Sequence, residues 1–298
     1  MKGRILECVP NFSEGRRTEV IEAILDTLRG KDGIRLLDYS SDKDHNRTVV
    51  TLVGSPEGFL EHLPGFVARA KELIDLRQHE GQHPRMGAVD VMPFVPIKGI
   101  TMEEAVDFSK SLAEKIHEEL NLPIFLYEES AAAPHRKNLA NLRKGQFEGM
   151  AEKLKTPEFR PDYGDELHES FGIMALGVRP FLVAFNVNLG TDKLEIAEKI
   201  AKNVRHISGG LRFVKGMGVA LEDRGQVQVS MNLTDFTKTP IHRVFELIKI
   251  EASRYGVPVV GSEIIGLVPM ASMIDTAAWY LQVEDFDISQ VLESQLLE

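Results

Sequence analysis

The chain has 298 residues, 43% of them hydrophobic and 27% charged, with a formal net charge of −10. This is the composition of a globular protein long enough for two compact domains, and the acidic balance argues against non-specific nucleic-acid binding. The single cysteine, Cys8, excludes an internal disulfide and any multi-cysteine metal site. No apolar run approaches the ~20 residues of a membrane span. The basic Met1-Lys2-Gly3-Arg4 is not followed by the apolar stretch of a signal peptide, so the chain reads as cytoplasmic.

Residues 5–9 read as a strand, with Cys8 as a buried structural thiol, and end in the turn-rich Pro10-Asn11-Phe12-Ser13-Glu14-Gly15. A helix follows, with Val20, Ile21, Ile24, Leu25 and Leu28 on one face and Gly30 as its stop. Strands at 34–38 and 48–53 are joined by a polar loop containing Asp44-His45-Asn46-Arg47. Ser55-Pro56 is a cap followed by a proline at the first helical position. Phe66, Val67, Ala70, Leu73 and Ile74 carry that helix towards 78–81, and Pro64 is expected to kink or split it. Residues 88–95 form a fourth strand. Thr101-Met102-Glu103-Glu104 has capping-box spacing, and Val106, Leu112, Ala113 and Ile116 continue its helix. A fifth strand covers 122–127, and residues 130–178 are less regular.

The second half has a similar plan. A strand at 181–188 leads into a helix at 191–207, stopped by Gly209-Gly210. Strands at 213–222 and 226–233 flank the turn Asp223-Arg224-Gly225. A helix from Thr239-Pro240 to Gly256, a strand at 257–260 and a mostly helical 267–281 complete it. The acidic 284–298 is either a final helix or a partner contact. Each half therefore carries a β-α-β-β-α-β order, an α/β (α+β) chain of two ferredoxin-like subdomains with helices on one face of each sheet. The boundary falls near 178, giving domains 1–178 and 179–298. Packing of the two bare sheet faces against each other, helices outside, would leave a cleft, and pockets favour such interfaces.

The most informative stretch is His79-Glu80-Gly81-Gln82-His83-Pro84-Arg85-Met86-Gly87, which holds two of the nine histidines. His79-Glu80-x-x-His83 matches a zinc-protease signature, which requires both histidines on one helical face. Gly81 interrupts the motif, and Pro84 pushes His83 out of the α region. The stretch is thus a loop, either catalytic or an inert surface connection, and no metal is expected.

Three polar segments fall at strand ends in the first half: Asn11 with Glu14, His45-Asn46-Arg47, and His83-Pro84-Arg85. Asn11 is either a helix-entry turn residue or part of a site, and Arg47 is either a surface ion pair or a ligand clamp. Asp90, between Val89 and Val91, is either the solvent phase of a strand or a site residue. His62, His117, His168 and His242 read as solvated.

Glu7-Cys8-Val9-Pro10-Asn11-Phe12-Ser13-Glu14-Gly15, Asn46-Arg47-Thr48 and His79-x-Gly81-x-His83-Pro84-Arg85-Met86-Gly87-Ala88-x-Asp90 resemble the formiminotransferase domain family. So do Phe185-Asn186-x-Asn188-Leu189, Pro258-Val259-Val260-Gly261-Ser262 and Gly266-Leu267-Val268-Pro269, and the resemblance runs from residue 7 to about 282. It covers the transferase part only, and the cyclodeaminase fused to it in animal enzymes is not expected in a chain of 298 residues. The resemblance implies two α/β subdomains with facing sheets and a folate tunnel between them. It implies formimidoyl transfer between N-formimidoyl-L-glutamate and N5 of tetrahydrofolate, in histidine breakdown, by a homodimer that needs no metal. Formyl transfer from N-formylglutamate is the nearest alternative, and a non-catalytic folate-binding protein a remoter one.

In residue terms the resemblance places the catalytic histidine at His83. It places folate binding at Gly172-Ile173-Met174-Ala175-Leu176-Gly177-Val178-Arg179-Pro180-Phe181. Histidine suits a reaction in which the attacking nitrogen loses a proton and the leaving nitrogen gains one. Arg47 and Arg85, with Arg179 behind them, are the expected grips for the glutamate carboxylates, because a guanidinium binds carboxylate bidentately. Asp90 or Asp38 is expected to face the cationic formimidoyl group, and Asn11, Asn186 and Asn188 to bind the pterin ring. Where some relatives have Asp-x-Asp, this chain has Asp38-Tyr39-Ser40, and Asp44-His45 beside Arg47 is the expected compensation. The basic His135-Arg136-Lys137, with Arg143 and Lys144, is either an anion-steering patch or a solvated charge run.

Overall fold

A computed structural model describes residues 3–296. The chain divides into two compact units, 1–179 and 180–298. Among the described residues no helix is long and apolar enough to cross a membrane.

The first unit contains β1 (Ile5–Cys8), β2 (Asn11–Phe12), α1 (Thr18–Leu25), β3 (Ile34–Asp42), β4 (Arg47–Gly54), α2 (Pro56–Leu73), β5 (Val89–Lys98), α3 (Met102–Leu120), β6 (Ile124–Glu128), α4 (Leu139–Arg143), α5 (Gln146–Leu154) and β7 (Met174–Val178). β3 is an edge strand on β4; β4 pairs with β1 and β2, which both pair with β5. β7 then pairs in parallel with β5 and with β6. The sheet is thus larger than a β-α-β-β-α-β unit. β7 escapes the sequence pattern because a parallel strand covered on both faces shows no apolar–polar alternation. Its odd and even residues enter different cores: Met174, Leu176 and Val178 join the main core, whereas Ile173 and Ala175 pack with Met86, Val91, Phe125 and Met150. The second core means that one end of the other sheet face is covered too, by the 139–154 region.

Local signals explain the helices. Ser55 Oγ accepts from Gly58 N at 3.1 Å. Thr101 and Glu104 form the reciprocal capping box, at 3.1 and 2.8 Å. α2 ends at Leu73 rather than near 78, and it runs through the buried Pro64 as one element instead of splitting there. Its inner face, Phe59, Leu63, Phe66, Val67 and Ala70, belongs to the main core, whose burial holds the helix across the lost hydrogen bond.

The second unit contains β8 (Val183–Leu189), α6 (Leu194–Val204), β9 (Val214–Leu221), β10 (Gln226–Leu233), α7 (Ile241–Ser253), β11 (Val259–Ile265), α8 (Met270–Leu281) and α9 (Leu292–Leu296). Its sheet runs β11-β8-β10-β9, antiparallel throughout. Val183, Phe185, Val187 and Leu189 on β8, with Val227, Val229, Met231 and Leu233 on β10, pack with residues of α6 and α7. The intervening Asn186, Asn188 and Gln228 therefore point to the opposite face.

The four histidines read as solvated are half-buried and engaged. His62 Nε2 lies 3.1 Å from Asp32 O, His117 Nδ1 2.8 Å from Leu122 O, and His168 Nδ1 accepts from Phe171 N. His242 stacks on Trp279 with ring centroids 4.9 Å apart. In each case a carbonyl, amide or ring supplies the partner that solvent would have supplied.

Candidate active site

Strand pairing brings the three polar segments of the first unit together. Asn11 pairs with Val49 on one side and Val91 on the other, so the loops that enter β4 and β5 flank it. Asn11 Nδ2 donates to Val9 O at 2.7 Å, which orients the amide, and its Oδ1 accepts from Arg47 Nε at 3.1 Å and Nη2 at 2.5 Å. Arg47 Nη1 lies 2.8 Å from His83 Nδ1 and also contacts Nε2. The His45 ring stands edge-on to His83 at 5.9 Å, and its Nδ1 is 3.1 Å from Asp42 Oδ2.

A guanidinium against an imidazole disfavours a second positive charge. Burial is the first cause lowering the His83 pKa, Arg47 and Arg143 follow, and Asp90 opposes them; the value falls to about 3. Burial and Arg143 bring Arg47 down to about 10. His83 is therefore neutral at pH 7, and Arg47 is charged with no carboxylate on its fork among the described residues.

Asp90 is buried rather than solvent-facing. Its Oδ1 accepts from Met86 N at 2.8 Å and its Oδ2 pairs with Arg143 Nη2. The carboxylate expected to face a cationic substrate group is thus held by α4. Arg85 differs in the same way from the substrate clamp expected of it. It is buried, and its fork meets Glu148 at 2.9 and 2.6 Å while its Nε donates to His79 Nδ1 at 3.1 Å. His79 Nε2 lies 2.9 Å from Asn46 O. His79 and His83 thus follow the end of α2 in a loop and have separate partners, so the zinc-protease geometry is not formed. Among the described residues no group of three or more His, Cys, Asp or Glu is placed to hold a metal ion.

Asp38 is exposed on the edge strand and pairs with Thr51. Asp42, which pairs with Arg47, is four residues further along β3, roughly 13 Å at strand rise. Asp38 thus stands apart from the Arg47–His83 contact, and Ser40 occupies the rung between. In the segment Gly172–Phe181, residues 172–178 are buried, mostly within β7, and only Arg179, Pro180 and Phe181 reach the surface. Gly172 has φ +80°, and a Cβ there would lie 2.1 Å from Met86 O, so this backbone also supports the loop after His83. The basic run is mostly structural: Arg136 is buried against Asp162 at 2.9 Å, and Arg143 belongs to Asp90.

The second unit carries an amide cluster on the sheet face opposite its helices. Gln228 Nε2 donates to Asn188 Oδ1 at 2.8 Å and to Glu263 Oε1 at 2.7 Å, and Asn186 Nδ2 donates to Glu263 Oε1 at 3.3 Å. Asn186 and Asn188 were expected from the resemblance of their motif. Gln228 and Glu263 were missed because only the register, which pairs them with Asn188 and Asn186, brings them there. In the first unit Glu7 and Tyr127 were missed, and Arg143, expected to steer anions or lie in a solvated run, is instead paired with Asp90. Burial raises the pKa of the Glu7 carboxyl and the Tyr127 phenol, with Arg179 opposing in both cases.

A broad hollow of about 890 Å³ in the second unit, lined by His242, Glu246, Asp275 and Trp279, contains none of these converging groups. A smaller cavity of about 310 Å³ lies beside the first-unit loops and is lined by Ser13, Glu14, Arg16, Asn46 and His79.

Comparison with known proteins fits this arrangement. The family model for the formiminotransferase domain, N-terminal subdomain, matches residues 5–179, and that for the formiminotransferase domain matches 184–297. The chain is 55% identical to glutamate formimidoyltransferase of Streptococcus pyogenes serotype M1 over 99% of both chains. It is 43% identical to glutamate formimidoyltransferase of Thermoplasma acidophilum, over 98% of this chain and 97% of that one. It is also 44% identical to formimidoyltransferase-cyclodeaminase of Rattus norvegicus, over 94% of this chain and 53% of that larger protein. With both units matched and full-length relatives this close, the chain belongs to the formiminotransferase domain family.

Proposed function

We propose that the chain transfers the formimidoyl group between N-formimidoyl-L-glutamate and N5 of tetrahydrofolate, as a cytoplasmic homodimer. The observation that carries this reading is the 55% identity, along 99% of both chains, to a relative named for that activity. The geometry of the first unit supports it, because one neutral histidine stands beside one arginine whose fork has no carboxylate among the described residues.

In the reaction the folate nitrogen attacks the formimidoyl carbon, the bond from that carbon to the glutamate nitrogen breaks, and one proton passes between the two nitrogens. His83 is the group that moves it. Without substrate, Arg47 lies against both ring nitrogens and keeps His83 a weak base. A substrate carboxylate offers Arg47 a stronger, bidentate partner. Once Arg47 turns to it and its charge is balanced, one of the causes depressing His83 is removed, and the imidazole pKa rises, which makes the ring a better base for accepting and returning the proton. Substrate binding thereby arms the base. Arg85, tied to Glu148 and His79, holds the loop instead of the substrate. We assign recognition of the pterin edge to Asn186, Asn188, Gln228 and Glu263, whose amides and carboxylate match a ring of alternating donors and acceptors. Arg179, Pro180 and Phe181 are the accessible part of the folate segment.

The test is turnover of tetrahydrofolate with N-formimidoyl-L-glutamate and, in parallel, N-formyl-L-glutamate. The expected product is 5-formimidoyl-tetrahydrofolate. Product from the formyl donor alone would move the activity to formyl transfer, and no product from either would overturn the reading.

A further inference from the structure

The loop after α2 contains a second histidine that the reaction does not use. His79 is half-buried and has both ring nitrogens engaged. Arg85 Nε donates to its Nδ1 at 3.1 Å, so Nδ1 carries no proton and Nε2 carries the hydrogen. Nε2–H then donates to Asn46 O at 2.9 Å. That carbonyl belongs to the peptide that joins Asn46 to Arg47.

The residue whose carbonyl His79 grips is itself constrained. Asn46 has φ 49°, a left-handed conformation that asparagine tolerates better than most residues. Its Oδ1 accepts from Gly15 N at 2.9 Å, and its Nδ2 donates to Glu80 O at 2.9 Å. Gln82 N donates to Asp44 O at 3.0 Å. A Cβ on Gly81 would lie 2.3 Å from His45 O, so the two loops touch backbone to backbone there. On the far side, Arg85 is anchored to Glu148 of α5.

We propose that His79 is a positioning residue: as a neutral Nε2–H tautomer it ties the peptide before Arg47 to the Arg85–Glu148 pair, and so sets where the Arg47 guanidinium meets His83. This rests on the reading of Arg47 and His83 as the reacting centre. The charges facing His79 are Arg85, Glu14, Arg16 and, through Arg85, Glu148; those facing His83 are Arg47, Arg143 and Asp90, with His45 edge-on. A protonated His79 would set two donors, its own Nδ1–H and Arg85 Nε–H, against each other. Burial and Arg85 both hold its pKa below the ordinary value, although the bond to Asn46 O acts the other way.

The test compares His79→Phe, which keeps a ring and removes both polar atoms, with His79→Gln, which supplies one donor and one acceptor. In His79→Phe the His83 midpoint, followed by NMR in the free protein, should rise by more than one pH unit as Arg47 drifts from the ring. Its kcat should fall about 10²-fold, the cost of misplacing a reacting group by about an ångström, and donor KM should rise with it because Arg47 is displaced too. His79→Gln should recover most of both. An unmoved His83 midpoint in His79→Phe, with activity lost only in proportion to unfolded protein, would overturn the proposal. So would a glutamine variant as impaired as the phenylalanine one. If His79→Phe does not fold, the parent protein still decides, because His79 must show the Nε2–H tautomer at pH 7; an Nδ1–H tautomer or an imidazolium contradicts the idea. The titrations need no substrate, so a parent that fails to turn over formimidoylglutamate would sink the functional reading while leaving this one open to its own result.

Discussion

The two units use their polar residues in opposite ways. On the first, the cluster is ionic: Arg47 against His83, Arg143 beside both, and Asp90 as a buried carboxylate among them. On the second, the cluster is made of amides joined to a single carboxylate: Gln228 donates to Asn188 and to Glu263, and Asn186 donates to Glu263. An ionic cluster that depresses a histidine pKa is suited to moving protons, and it changes state when one charge is added or removed. A hydrogen-bonded amide cluster is suited to discriminating shapes of donors and acceptors. The difference separates a chemical step from a recognition step within one chain.

That separation can be broken by substitution, and the largest effect belongs to the ionic side. His83→Ala should lower kcat by about 10²–10⁴ while folate affinity stays within a few-fold. Parallel loss of turnover and folate binding would mean that His83 is a structural residue. On the amide side, Glu263→Gln should weaken folate binding about tenfold or more, the cost of a lost charged hydrogen bond, and leave kcat nearly unchanged. A fall in kcat with unaltered folate affinity would place Glu263 in the chemistry instead.

Arg47→Met sharpens the comparison through pH. In the parent, free His83 stays neutral down to about pH 3, so its protonation does not limit kcat/KM near neutrality. Because kcat reports the bound state, its acid limb should lie at higher pH than that of kcat/KM. Removing the Arg47 charge raises the free histidine pKa, so the acid limb of kcat/KM should move up towards 6.5, with a donor KM about tenfold higher. An unchanged limb would show that Arg47 does not govern the base. The smallest effect is expected from Arg85→Lys. Glu148 is 64% exposed, so the pair contributes about 1 kcal/mol or less, and Tm should fall by about 2–4 °C, with donor KM moving far less than in Arg47→Met. A donor KM raised as far as in Arg47→Met would return Arg85 to the substrate.

Much of this was legible in the sequence. The motif around His83 stood out because glycines and a proline exclude helix there, and Asn11, His45 and Arg47 stood out because they fall at strand ends. Asn186 and Asn188 were legible from the motif they share with the family. Other features depend on pairings that no local pattern encodes. Arg143 meets Asp90 across 53 positions, and Arg85 meets Glu148 across 63, so neither Asp90 nor Arg85 reads as occupied until the chain is folded. β7 was hidden because burial on both faces removes alternation, and a segment expected to touch folate turned out to be mainly a core strand. Pro64 was expected to kink or split its helix by local rules, and α2 runs through it as one element because tertiary burial outweighs the lost hydrogen bond.

The central claim is that Arg47, acting with burial, depresses the His83 pKa and releases part of that depression when a carboxylate takes its charge. The most direct test is an NMR titration of the His83 ring in the free protein and in the presence of saturating L-glutamate. The account predicts a midpoint near 3 in the free protein and a shift towards 6.5 when glutamate is bound. A free-protein midpoint already near 6.5, or one that glutamate leaves in place, would contradict it.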